Sequence, residues 1–117
     1  MTTIVQTTTG EPLTTLKHTC GDTAETLDDV SSFVAQSTAS NVKRNVVGVL
    51  ITVEDNDIRF AWGTNPTQDG GTAVGHVLYA TQSIKLTNHK QIIDFRFINK
   101  VNGSDAVIQI TPEVSRV

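Results

Sequence analysis

Apolar residues recur at every second position through much of this chain, most clearly between Val46 and Trp62. Val47, Val49, Ile51 and Val53 share one side of the run VVGVLITV. Ile58, Phe60 and Trp62 share one side of IRFAW, with Arg59 on the other. A period of two in β-branched and aromatic residues marks half-buried strands. Between the runs lies the acidic turn Glu54-Asp55-Asn56-Asp57. Asp and Asn tolerate positive φ and bond to nearby backbone, so the stretch predicts a β-hairpin closed at Asp55-Asn56. Further strands are predicted over Gly75–Ala80, Gln82–Leu86, Ile92–Ile98 and Ala106–Thr111. In the third of these Ile93, Phe95 and Phe97 oppose Asp94 and Arg96, which suits cross-strand ion pairing of the two charges. In the fourth Ala106, Ile108 and Ile110 face inward. Asn88-His89-Lys90 reads as a turn, and Asn102-Gly103 as a type I′ hairpin with positive φ at both residues. Pro112 is expected to end the last strand, because it has no N–H for a ladder. Trp62 and Phe95 are the side chains whose loss should cost most.

The remaining segments lack this alternation. Met1–Gly21 is rich in threonine and offers only Ile4, Val5, Leu13 and Leu16 for burial. It predicts an N-terminal arm over 1–21 that is flexible or orders on a neighbouring subunit, with a short strand possible over Thr14–Thr19 and a turn at Gly10-Glu11-Pro12. Within Asp22–Gln36, Leu27, Val30 and Val34 fall on one helical face with Phe33 close by, which predicts one or two turns of helix. Gly63–Val74 carries two turn signals, Asn65-Pro66 and Asp69-Gly70-Gly71, and is predicted as a long surface loop. Six to eight short strands with turn signals every eight to twelve residues predict an all-β fold over 22–117. The expected form is an antiparallel β-sandwich or small jelly-roll-like barrel with at most one short helix.

Composition narrows the function classes. At 117 residues the chain makes one domain, and its net charge of −3, with Lys43-Arg44 the only adjacent basic pair, argues against nucleic-acid binding. The single cysteine, Cys20, cannot form an internal disulfide, and no apolar run approaches the ~20 residues of a membrane helix. There is no signal-peptide pattern at the N-terminus, so the expectation is a soluble protein made in a reducing compartment. His18-Thr19-Cys20 offers two potential metal ligands without the further pair that a zinc site needs. His76 and His89 are separated by a whole strand pair. Glu54, Asp55 and Asp57 lack the spaced ligands of a calcium loop and read as a solvated turn. Ser31 and Ser32 sit in no nucleophile elbow, and Gly70-Gly71 is followed by neither the lysine nor the helix of a phosphate loop. No catalytic set, cofactor or metal is expected.

The segments VLITVEDNDIRFAWGTNPT, GHVLYATQSIKL, IDFRFI and AVIQIT together resemble small β-sandwich proteins encoded among the structural genes of tailed bacteriophages. The shared features are Ile58-Arg59-Phe60 leading into Trp62–Thr67, then Gly75-His76-Val77-Leu78, Ser83-Ile84-Lys85-Leu86 and Ile92–Phe97. The resemblance covers about Val46 to Thr111. It implies a non-enzymatic virion protein made in the host cytoplasm, of the capsid decoration (cement) kind. Such a protein would sit on the outer capsid surface, bind the major capsid protein and assemble as a homotrimer. A neck or tail component is the alternative within the virion. From composition, the expected contact residues are Thr2, Thr3, Ile4, Val5, Leu13 and Leu16 of the arm and Asn65, Pro66, Gln68 and Asp69 of the loop. A glycan or host-surface binding module using that loop is the rival from another class. It would gain support if Trp62 and Tyr79 proved exposed and adjacent. A cupin-like enzyme would require metal ligands converging inside a barrel.

Overall fold

The protein is a two-sheet antiparallel sandwich, here described from a computed structural model over residues 11–38 and 46–114. The first sheet is built on β4 (Val46–Asp55) and β9 (Ala106–Val114), which pair along most of their length. β7 (Ser83–Leu86) flanks β4, while β1 (Glu11–Pro12) and β2 (Leu16–Cys20) lie end to end along the far side of β9. The second sheet has the order β3 (Glu25–Thr26), β8 (Phe95–Asn99), β5 (Ile58–Trp62), β6 (His76–Leu78). Every pairing is antiparallel.

The alternation read from the sequence is the core. Cys20, Val49, Ile51, Val53, Leu86, Ala106, Ile108 and Ile110 from one sheet meet Ile58, Phe60, Leu78, Phe95 and Phe97 from the other. Leu27, Val30, Phe33 and Ile92 from the helical segments complete it. Each such side chain taken out of water contributes roughly 1.5–3 kcal/mol, most of it offset by chain entropy. Burial, with the carboxylates of Glu25 and Asp105 adding to it, pushes the Cys20 thiol up to about 12.

The two expected hairpins do not form. β4 and β5 belong to different sheets, as do β8 and β9. The acidic turn carries the chain across the sandwich, so the inward rows of β4 and β5 face each other instead of lying side by side. Asn56 takes the positive φ of 57° and donates from Nδ2 to Asp105 O at 2.7 Å. Asp57 accepts from Ala80 N at 2.8 Å and, through its carbonyl, from Lys100 N at 2.9 Å. At 101–104 only Gly103 has positive φ, 81°, with Ser104 N donating to Val101 O, so the turn is not type I′.

Three other expectations change. Leu16–Cys20, inside the expected arm, is a strand of the first sheet, and Cys20 is fully buried. Pro112 does not end the last strand, which runs on to Val114. Its carbonyl accepts from Leu13 N, and in an antiparallel ladder a residue's N–H and C=O point to the same neighbour. The missing N–H therefore lies on the side of the two-residue edge strand β1 and leaves the β4 ladder intact. Among the described residues there are also two short α-helices where at most one was expected: α1 (Ser31–Thr38), preceded by a 3₁₀ turn at Leu27–Asp29, and α2 (His89–Asp94). Asn88 makes the difference at α2. Its side chain accepts from Gln91 N, an N-cap bond that turns the expected turn into a helix start. Ile92 is thereby buried, Ile93 is exposed, and Asp94 pairs with Lys90 one helical turn before it rather than across strands.

Candidate functional site

Two surface features flank the second sheet: the 63–75 loop and a groove beside Trp62. The loop joins β5 to β6 and folds back over the outer face of the sheet. Ala61 and Ile98 point to that outer face, yet each is only 6% exposed, and Pro66 of the loop is buried. Gly75 makes the fold-back possible. It holds a φ of +121°, and a Cβ there would lie 3.0 Å from both Phe60 O and Pro66 Cβ.

Polar bonds then fasten the loop down. Asp69 accepts from Arg59 Nη2 at 2.7 Å and from Lys100 Nζ at 2.6 Å, while its own N–H donates to Lys100 O at 2.8 Å. Arg59 Nη1 donates to Gly75 O, and Arg96 Nη1 to Asn65 Oδ1 at 2.9 Å. Gln68 Nε2 reaches both Asn99 Oδ1 and Asp22 Oδ1. Asp22 Oδ1 also accepts from Asn99 Nδ2 at 2.8 Å and Gly103 N at 2.9 Å, so one carboxylate ties together four chain segments. The bond from Asn99, then those from Gly103 and Gln68, hold the Asp22 carboxyl below its ordinary range. Lys100, then Arg59, do the same for Asp69.

Of the four loop residues singled out from composition, Pro66 is buried, Gln68 is half-buried, and Asn65 and Asp69 stay exposed while their side chains bond back to the sheet. Gly70, Gly71, Thr72 and Val74 are exposed with them, as are Thr64 and Thr67. Leu13 and Leu16 are half-buried beside β9, with Leu16 packed against the core. Thr2, Thr3, Ile4 and Val5 lie outside the described residues.

The groove lies at the end of the sheet away from the 54–57 turn, where β5 finishes and α2 leads into β8. It has a volume of about 250 Å³ and is lined by Trp62, Asn88, Lys90, Gln91 and Asp94. Trp62 lies on the inward side of β5 but past the end of the core, and is 39% exposed where the sequence reading placed it inside. Its indole makes T-shaped contacts with Phe60 and Phe95, with centroids at 5.4 and 6.0 Å, and Nε1 donates to Gln91 O at 3.1 Å. His76 stands at 6.3 Å on the rim. Tyr79 is 53% exposed, but its neighbour Leu78 pairs with Ile58, four residues along β5 from Trp62. Trp62 and Tyr79 are thus both exposed but lie along different parts of the sheet. Sequence reasoning missed this groove, because Trp62 shares the parity of Ile58 and Phe60 and α2 was not foreseen.

The other candidate chemistry is dispersed. His18 Nε2 lies 3.0 Å from Glu25 Oε1, linking the two sheets at one edge. His89 opens α2 on the surface. Among the described residues no three His, Cys, Asp or Glu side chains come together to hold a metal ion, and no helix is long and apolar enough to cross a membrane.

No family model matches the chain, and no curated protein matches it. Among solved structures, the crystal structure of FeII HppE matches at 12% identity with a TM-score of 0.42. The match covers 59% of this chain and 32% of that one, so this chain spans about a third of its length.

Proposed function

We propose that this is a non-enzymatic virion structural protein of the capsid decoration kind, one that acts by docking a preorganised β-sandwich onto the outer capsid surface. The observation that carries the reading is the fastened 63–75 loop. Bonds from Asn65, Gln68 and Asp69 hold the loop in one conformation, so its exposed residues, Thr64, Gly70, Gly71, Thr72 and Val74 among them, lose little conformational freedom on contact. The likeness of Trp62–Thr67, Gly75–Leu78 and Ser83–Leu86 to phage β-sandwich proteins supports the same reading. In it the partner is the major capsid protein, and a homotrimer matches three-fold sites on the shell. Binding only the assembled shell stabilises it by mass action, without chemistry.

Co-sedimentation with shells assembled from the major capsid protein of the same virus tests this, together with the molar mass from light scattering. The expected result is saturable pelleting at a fixed ratio to capsomers and a trimer in solution or on the shell. A protein that stays in the supernatant at saturating concentration overturns the reading, and binding to isolated necks or tails moves the protein there.

A further inference from the structure

We propose that the Trp62 groove is a binding site for one ring of a neutral saccharide, distinct from the 63–75 loop and independent of the capsid reading. The indole is a fixed platform. Phe60 and Phe95 pack against it in T-shaped contacts, its only polar hydrogen is spent on Gln91 O, and 39% of the residue stays open to solvent beside the groove. The open part of a ring held in this way offers apolar contact and no competing hydrogen bond, which suits the C–H face of a pyranose.

The polar lining supplies the rest. Asn88 Oδ1 accepts from Gln91 N at 2.9 Å, and Gln91 Oε1 accepts from Thr87 N at 2.8 Å. Because both donors are backbone N–H groups, the atom facing each must be the oxygen, and the orientation of both amides is settled. Their NH₂ groups have no partner among the described residues and remain as donors. Asp94 spends Oδ2 on Lys90 Nζ, leaving Oδ1 as an acceptor. Two amide donors, one carboxylate acceptor and one aromatic face match vicinal hydroxyls on a ring. Lys90 and Asp94 cancel in charge, which favours a neutral ligand. The volume, about 250 Å³, lies below the roughly 300–1,000 Å³ of drug-sized pockets and fits one ring rather than a long ligand.

Trp62 is the only tryptophan of the chain, so intrinsic fluorescence reads this site directly. The purified protein is titrated with cellobiose, lactose, maltose and N,N′-diacetylchitobiose, and with a proline-rich peptide. At least one disaccharide is expected to give a saturable change in Trp62 emission with a millimolar midpoint. By calorimetry Trp62→Ala should weaken that binding about tenfold or more. Asp94→Asn, which keeps the shape of the groove, should weaken it severalfold while the melting curve still shows a folded protein. The proposal is overturned if no disaccharide saturates, if Trp62→Ala binds as well as the unsubstituted protein, or if the peptide alone saturates the signal.

Discussion

The 63–75 loop and the Trp62 groove begin at the same residue pair, Trp62-Gly63, and use their polar side chains in opposite ways. In the loop, Asn65, Gln68 and Asp69 bond back to the sheet and its neighbours, although Asn65 and Asp69 stay exposed. In the groove, Asn88, Gln91 and Asp94 satisfy one end of each side chain and present the other. A long loop rich in Gly and Thr looks functional from its composition, yet here it folds back over the sheet. A short helix with one cap bond looks structural, yet it carries the open donors. Surface chemistry is decided by which atoms remain unspent rather than by which residue types are present.

The contrast can be broken hardest at Gly75. Gly75→Val places a branched side chain where φ is +121° and where a Cβ already meets Phe60 O and Pro66 at 3.0 Å. Strain and overpacking together should cost about 3 kcal/mol in chemical denaturation. The loop should open to proteolysis while the groove keeps its Trp62 emission. Next comes Asn99→Leu. Asn99 is fully buried and sits between Gln68 and Asp22, so an apolar replacement leaves their polar atoms without that partner. A loss of about 2 kcal/mol is expected. A change within error would mean that the loop is held without the Gln68–Asn99 bond, by Asp69, Asn65 and Gly75.

The sandwich was legible because period two reports burial on one face, and β4, β5, β8 and β9 all show it. Period two does not report the neighbour. Val49, Ile51 and Val53 would read identically whether β5 paired beside β4 or packed across from it, and only the register shows the second. Pro112 misled because the sequence does not say which side of a strand has the short neighbour. The segment HKQIID was opaque since its two adjacent isoleucines fit a strand as well as one turn of helix, and a single Asn88 bond tipped the balance. The loop's composition marks it out, but whether its polar side chains are bonded back to the sheet depends on Arg59, Arg96, Asn99 and Lys100, and the chain brings most of these back to it only some thirty residues later.

Trp62→Ala gives a smaller effect than either loop change. Its ring contacts with Phe60 and Phe95 are lost, but an indole already 39% exposed gives up only part of a buried aromatic's contribution. A cost of about 1–2 kcal/mol is expected by thermal denaturation. A loss as large as that of Phe95→Ala would place the indole in the core after all.

Acid should act on the loop and spare the groove. Asp22 and Asp69 have carboxyls lowered in the folded state, so the unfolded chain binds protons at higher pH than the native one. Their contribution is present above the ordinary carboxylate pKa and is lost as pH falls through the lower folded values. Proteolysis at 63–75 should therefore rise on acidification before Trp62 emission changes. If both change together, the loop and groove are one cooperative unit.

Lys90→Ala should be the quietest change. Lys90 is 83% exposed on its side chain, and its 2.7 Å bond to Asp94 is an i,i+4 surface pair. Asp94 raises the Lys90 pKa, so what the pair contributes is fully present below the ordinary lysine value and is lost only as pH rises through the higher folded one. Exposed pairs of this kind contribute little, and the melting temperature at neutral pH should stay within error. The substitution nevertheless removes the one cation beside Asp94 in the groove lining. An unchanged melting curve together with an altered affinity for the disaccharide would separate the groove's charge from its stability. A clear drop in melting temperature would instead make Lys90 part of the scaffold, as Asn65, Gln68 and Asp69 are in the loop.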